Sequence, residues 1–412
     1  MKLRTSDCGL QVEKLMLGVI VILVCSTSLR SQVAITGETV YTMSGKPIKN
    51  GVVLLKGNKI EKVGTAAEVK IPNGYKIMSA KVVTPGLVDA HATAGLSGIL
   101  NIAADQMQLE KSDPVQPELR AIDAYNAREQ LVEWVRNFGV TTMNTGHAPG
   151  ALASGTTIVV KTVGSSVNEA MIDSGMVAFT LGSSVMSNFK TPGTSAKAVA
   201  MLRTEFLKAQ DYQKKKSAKD SDKRPTADLK SEMLVSILRG ERKILFTAQG
   251  ATEILDALRL QQEFGFKMVL DGAAEAYLLI DEIKKSGVPV VLHPSMARPG
   301  GDTKNISFET AAKLQQAGIL FALQSGFEGY VPKTRVILFE AAIAAANGLS
   351  FEEALASITI SSAKILGLEK RIGSLEVGKD GDVVLYDGDP FEYTSHVCAV
   401  VINGQVVSEQ CR

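Results

Sequence analysis

Between residues 87 and 323 short strand-like runs alternate with stretches of helical periodicity, and this alternation limits the fold more than any other feature. The runs fall at 87–91, 140–145, 157–161, 176–180, 243–248, 267–271, 288–293 and 319–323. Strands separated by helices pair in parallel through helical crossovers, and eight is the number that closes a (β/α)8 barrel. Helical spacing is clearest over 251–264, 274–285, 333–346 and 351–358. Ser350 precedes the last of these and Glu353 follows three residues on, the pattern of a capped helix start. On either side of the alternation the chain changes character. Pieces at 33–36, 39–43, 51–56, 59–64 and 76–83 are separated by Ser44-Gly45, Gly57-Asn58 and Asn73-Gly74, and further strand pieces occur at 381–386 and 397–407. Each set is too small to stand alone. The expected architecture is α/β: a TIM-like (β/α)8 barrel over 84–372 beside a discontinuous β-sandwich assembled from 33–83 and 373–412.

The first 31 residues have a different logic. Basic residues precede an apolar run at 15–24, and Ser26, Thr27 and Ser28 follow it, which is the pattern of a secretory signal peptide. The run is shorter than the roughly 20 residues a spanning helix needs. Export to the periplasm or beyond is expected, with no stable membrane span. Lys2, Arg4, Lys14 and Arg30 against Asp7 and Glu13 account for the whole formal net charge of +2. The remaining chain is near neutral and nothing in it favours nucleic acid. Cys398 and Cys411 flank a hairpin that turns at Asn403-Gly404. In an oxidising compartment they are expected to pair, closing a small loop worth about 3 kcal/mol in the chain-entropy model.

Three motifs carry a resemblance. Val82-Val83-Thr84-Pro85-Gly86-Leu87-Val88-Asp89-Ala90-His91-Ala92-Thr93 resembles the opening metal motif of the amidohydrolase superfamily, where Pro-Gly leads into a strand ending in His-x-His. Gly139-Val140-Thr141-Thr142 resembles the second-strand signature. Ser361-Ser362-Ala363-Lys364-Ile365-Leu366-Gly367-Leu368, with Ile372-Gly373-Ser374-Leu375-Glu376-Val377-Gly378-Lys379-Asp380-Gly381-Asp382-Val383-Val384-Leu385, resembles the return into the sheet domain. The likeness spans residues 33–408 and is nearest the imidazolonepropionase-like branch. It implies a hydrolase of non-peptide carbon–nitrogen bonds that uses metal-activated water at the barrel mouth.

The ligands implied by that resemblance are largely replaced. Thr93 stands for the second histidine of the pair, Ala178 for the fourth-strand bridging lysine and Thr247 for the fifth-strand histidine. Gly272 stands for the sixth-strand histidine and Gly326 for the eighth-strand aspartate. Only His91 remains of the usual metal set, with Asp271 and Glu328 as nearby substitutes, and a catalytic zinc wants three protein ligands. No cofactor is therefore expected, with zinc in a rearranged site as the alternative. His91, His147 and His293 fall at strand ends that face the mouth, and with Asp271 they form the candidate catalytic set. Lys161, Thr93 and Gln324 are candidate ligand-binding residues. Asp89 either orients His91 or faces another barrel layer.

Other routes have less support. The glycines of 146–155 lack the Lys-Ser/Thr ending of a phosphate loop, Gly-x-Ser-x-Gly is absent, and aromatics are 5% of the chain, too sparse for a sugar-stacking groove. Two readings stay open: a hydrolase with a remodelled site, and a non-catalytic member of the family that binds a small molecule at the barrel mouth or serves as a scaffold. Oligomeric state is not legible.

Overall fold

In a computed structural model of the protein the described residues are 32–100, 102–293, 299–327, 334 and 336–411. The export pattern of 1–31 and Glu328 lie outside them. The chain first lays down β1 (Gln32–Val40), β2 (Ile48–Lys56), β3 (Lys59–Thr65) and β4 (Lys76–Pro85). It continues with β5 (Leu87–Ala92), β6 (Val140–Thr145), β7 (Ala153–Lys161) and β8 (Met171–Thr180). Next come β9 (Ile244–Ala248), β10 (Met268–Gly272), β11 (Val290–Leu292) and β12 (Phe321–Leu323). The chain returns through β13 (Val383–Tyr386), β14 (Val397–Ile402) and β15 (Gln405–Ser408).

The two chain ends make one sheet, in the order β15-β14-β13-β4-β1-β2-β3. The junction is β4, which pairs in parallel with β1 and antiparallel with β13. Because β4 takes a partner on each side, the sandwich takes the form of one continuous sheet that curls. Its ends meet where Gly381 donates to Asn58 O at 2.9 Å and Gly404 donates to Gly381 O at 2.8 Å. The approach is close enough that a β-carbon on Gly404 would lie 1.9 Å from Gly57 O. Val33, Ile35, Val53, Leu55, Val83, Val383, Leu385 and Val401, spaced two apart along their strands, form the core inside the curl. Cys398 on β14 is joined to Cys411 by a disulfide.

Strands β5 to β12 form the barrel sheet in sequence order. Ala90, Met176, Leu245, Val269, Val291 and Ala322 pack inside it. Helices cover the outside; Ala251–Phe264 buries Ile254, Ala257 and Leu260 and stops at Gly265, whose φ of 73° suits a glycine after a helix end. The barrel closes through the bridge Ala92↔Gly326 and a hydrogen bond of 3.1 Å from Gly326 N to His91 O.

One strand departs from the parallel expectation. β7 runs antiparallel to both β6 and β8. Its connection from β6 is the short 146–152 loop, which has no room for a crossover helix, so the chain turns back on itself. The reversal relocates Lys161. At the end of β7 it stands opposite Thr142 near the start of β6, at the barrel floor and not the mouth. There its ammonium is 1% exposed, bonded to Asp382 and 3.1 Å from Asp380. Asp380 also accepts from Lys59 at 2.8 Å and Arg371 at 2.9 Å. Burial works against the charge of Asp380, but Lys161 and its other cations outweigh burial and hold the carboxyl below its usual value. This cluster joins the Lys379-Asp380-Gly381-Asp382 return segment to the barrel floor, and Lys161 is a structural residue there, not a ligand-binding one. No described helix is long and apolar enough to cross a membrane.

Candidate active site

At the opposite end of the barrel, β5 carries the first functional side chain on a bulge. Asp89 pairs with Met143 and Ala92 with Thr145, so Ala90 and His91 together oppose Asn144 alone. Asn144 holds this irregularity by donating to Ala90 O at 3.0 Å while accepting from Thr157 at 2.7 Å. A bulge alters the alternation of side chains and re-aims one of them. Here Ala90 packs in the barrel interior and His91 also turns inward.

His91 Nδ1 lies 3.0 Å from Asp271 Oδ1, and both side chains are buried. Asp271 arrives by alternation along β10: Val269 packs inside the barrel, so Asp271 two residues on faces the same interior nearer the mouth. Its carboxylate is fixed by two more donors. Thr247, its register partner on β9, donates to Oδ2 at 2.5 Å. Gln324, just past β12, donates to Oδ1 at 2.9 Å and to Val291 O at 3.2 Å. A carboxylate accepts only, so the His91 proton belongs on Nδ1 and Nε2 is left as the reactive nitrogen. Nε2 is buried and makes no hydrogen bond to any described residue. Burial disfavours the charged ring, but Asp271 outweighs it, with smaller help from Asp89 and the His147 main chain, and the imidazole is held above its ordinary pKa.

The remaining candidates are placed separately. Asp89 does not orient His91; its Oδ1 accepts from the main-chain N–H groups of His91 at 3.2 Å and Ser325 at 3.1 Å, which ties β5 to the residues after β12. Burial pushes its carboxyl up to about 6. Thr93 lies in the turn after β5, where its hydroxyl accepts from Ser97 at 3.0 Å. His293 is buried just past β11, and its main-chain N–H donates to Gly272 O at 2.8 Å. His147 is buried in the 146–152 loop, and burial lowers its pKa to about 4. Residues 93–126 cover this side of the mouth, held by Asn126 N to Gly95 O at 2.8 Å, Ala148 N to Gln108 O at 2.7 Å and the bridge Arg120↔Thr156. Asp271 thus gathers His91 and Gln324 into one constellation, while Lys161 lies at the far end of the barrel. Thr247 was expected only as a vacated ligand position, and its bond to Asp271 follows from their being adjacent inward residues on paired strands. Among the described residues no group of three or more His, Cys, Asp and Glu side chains is arranged to hold a metal ion.

With this geometry in view, the relatives fit the fold. Residues 321–408 match the model of the amidohydrolase family. An amidohydrolase from Thermotoga maritima MSB8 of known crystal structure is 31% identical; the match covers 92% of this chain and 100% of that one, with a TM-score of 0.85. The imidazolonepropionase of Fusobacterium nucleatum is 22% identical over 87% of this chain and 91% of its own. An amidohydrolase of Hapsidospora irregularis, tasK, is 23% identical over 92% of this chain, which spans only 43% of that longer relative. The chain belongs to the amidohydrolase superfamily, a superfamily of hydrolases, and to its imidazolonepropionase-like branch.

Proposed function

We propose that the barrel mouth hydrolyses a non-peptide carbon–nitrogen bond in a small cyclic amide, with His91 as general base and without the paired metal ions of the superfamily. The observation that carries this reading is the His91–Asp271 pair, an imidazole oriented through Nδ1 with Nε2 buried and unspent. A base held by a carboxylate is the arrangement that activates a nucleophile in unrelated hydrolases. His91 Nε2 takes a proton from water as the water oxygen bonds to the amide carbon. The C–N bond then breaks, and the nitrogen leaves with the proton returned from Nε2. The donor chemistry does not fit a binuclear metal pair: Ala178, Gly272 and Gly326 offer no donor side chain, and the Thr247 hydroxyl is committed to Asp271. No step is routed through a metal.

The test is turnover of an amide, lactam and dipeptide panel before and after dialysis against a chelator, alongside metal analysis. The reading expects lactam hydrolysis that survives chelation and falls at least 100-fold in His91→Ala, the scale of general-base catalysis, roughly 10²–10⁴. Turnover lost on chelation, or one equivalent of zinc lost in His91→Ala, refutes the metal-free mechanism. No turnover across the panel leaves the second reading, a non-catalytic member that binds a small molecule, which the replaced ligand positions favour. We further propose that the protein is exported, supported by the N-terminal pattern and by a disulfide that suits an oxidising compartment.

A further inference from the structure

The His147 side chain has no part in the constellation around Asp271, and no described residue gives it a structural task. The side chain is 5% exposed. Neither ring nitrogen makes a hydrogen bond to any described residue. Buried polar atoms are normally paired, and each exception calls for an explanation. A histidine that served only to fill space would leave two unmet hydrogen-bonding groups where a leucine or phenylalanine would leave none.

Gly155 packs closely against the ring. A β-carbon at Gly155 would lie 2.7 Å from His147 Nε2 and 2.5 Å from Leu119 O, so the glycine leaves room that an alanine would take. Gly155, at φ 117°, stands opposite Ala178 on β8, the position where the superfamily resemblance places a lysine. The loop that carries His147 is pinned on both sides: Gly146 N donates to Ala92 O at 3.1 Å, one residue past His91, and Ala148 N to Gln108 O at 2.7 Å. Gln108 also keeps a buried Oε1 without a partner. An imidazole held in place, next in space to the end of β5 and unsatisfied at both nitrogens, is built to meet a group that enters the mouth.

We infer that His147 is a substrate-binding residue whose neutral imidazole donates one N–H to the carbonyl oxygen of the cyclic amide. Burial disfavours the imidazolium, so the ring remains neutral through the physiological range and offers one donor and one acceptor. A neutral histidine donor polarises a carbonyl without placing a full charge beside it. The inference rests on the cyclic-amide reading above for its ligand class, but it concerns binding, and its test does not require turnover.

The chain has four histidines. Ring-nitrogen resonances of the intact protein, with His147 assigned through His147→Gln, are followed while hydantoin, dihydrouracil and 2-pyrrolidinone are added in turn. The His91→Ala background keeps the ligands intact during the titration. At least one of the three is expected to shift the His147 ring resonances to saturation. Its dissociation constant should rise about 10-fold in His147→Phe and stay within about threefold in His147→Gln, which retains a donor and an acceptor. Absence of any saturating shift with all three compounds overturns the assignment, as does equal affinity in His91→Ala with and without His147→Phe. Saturable binding of a compound that protein with His91 intact does not hydrolyse supports the role of His147 while refuting the hydrolase reading, so the two failures are distinct.

Discussion

Replacing Asp271 by asparagine tests the centre of the site, because the amide keeps the shape and one acceptor while removing the charge. With its oxygen in the place of Oδ1 the new side chain still accepts from His91 and Gln324, now 3.0 and 2.9 Å away. Its NH2 then faces the Thr247 hydroxyl, which can rotate to accept. What is lost is charge assistance in three buried hydrogen bonds. Bonds to charged groups contribute about 1.5–3 kcal/mol against about 1 for neutral ones, and the lower end of that difference, about 0.5 kcal/mol for each of three bonds, gives a loss of about 2 kcal/mol for the set. Asp271→Ala leaves all three donors unmet and costs more, about 3–5 kcal/mol.

The pH dependence separates this account from a simple packing defect. His91 is held above its ordinary pKa in the folded protein, so its contribution to stability is full below the unfolded value of about 6.5 and is lost as pH rises through the folded value. In Asp271→Asn burial remains without the carboxylate, and the His91 pKa falls. The destabilisation should therefore be larger at pH 5.5, below the unfolded value, than at pH 8.5, above it. Urea unfolding at the two pH values, with His91 titration followed by NMR, measures both effects. A penalty that grows with pH, or a His91 pKa that does not fall, refutes the coupling of these two residues.

Other substitutions probe separate parts of the structure. Asp89→Asn keeps an acceptor for the His91 and Ser325 main-chain groups and removes a buried charge whose carboxyl sits at about 6. A raised carboxyl favours the fold below its unfolded pKa of about 4 and loses that contribution as pH rises through about 6. The variant should melt above wild type at pH 8 and match it at pH 4, and equal melting curves at pH 8 refute the argument. Lys161→Met strips Asp380 and Asp382 of a buried cation and should lower stability by about 3–5 kcal/mol in chemical denaturation; a change below 1 kcal/mol excludes a structural role for the ammonium. The denatured, unreduced protein lacking residues 1–31 should titrate no free thiol, and Cys411→Ser should cost about 3 kcal/mol given a separation of 13 residues.

Most of the barrel was legible because its strands are short runs rich in β-branched and apolar residues bounded by turns, a pattern that needs no tertiary information. The second strand was expected at 140–145 and is β6 (Val140–Thr145). The direction of the third strand was not legible, since a buried strand has the same composition whichever way it runs. What sets direction is the connection: seven residues, 146–152, carry the chain from β6 to β7, too few for a helix that returns to the other end. Lys161 was misplaced for that reason alone. The bulge at Ala90-His91 was equally hidden, being a matter of register against Asn144. The pairing of His91 with Asp271 depends on contact across the barrel between residues 180 apart in sequence, and no local pattern encodes it.

The reversed strand has a practical consequence. In a regular barrel each mouth loop leads into a helix on the outer wall, so a change in its length is transmitted to that helix. The 146–152 loop joins two adjacent antiparallel strands and begins and ends at the mouth. It is a hairpin tip set into the rim of a barrel, and a buried one: Ala148, Ala151 and Leu152 are buried, Gly150 N donates to the Thr180 hydroxyl at 3.2 Å and Gly150 O accepts from Asn188 at 3.0 Å. Residues inserted at 149–152 would break these contacts and displace His147, so the rim at this point is fixed by the sheet itself, and what the protein admits is better redesigned by substitution than by loop length.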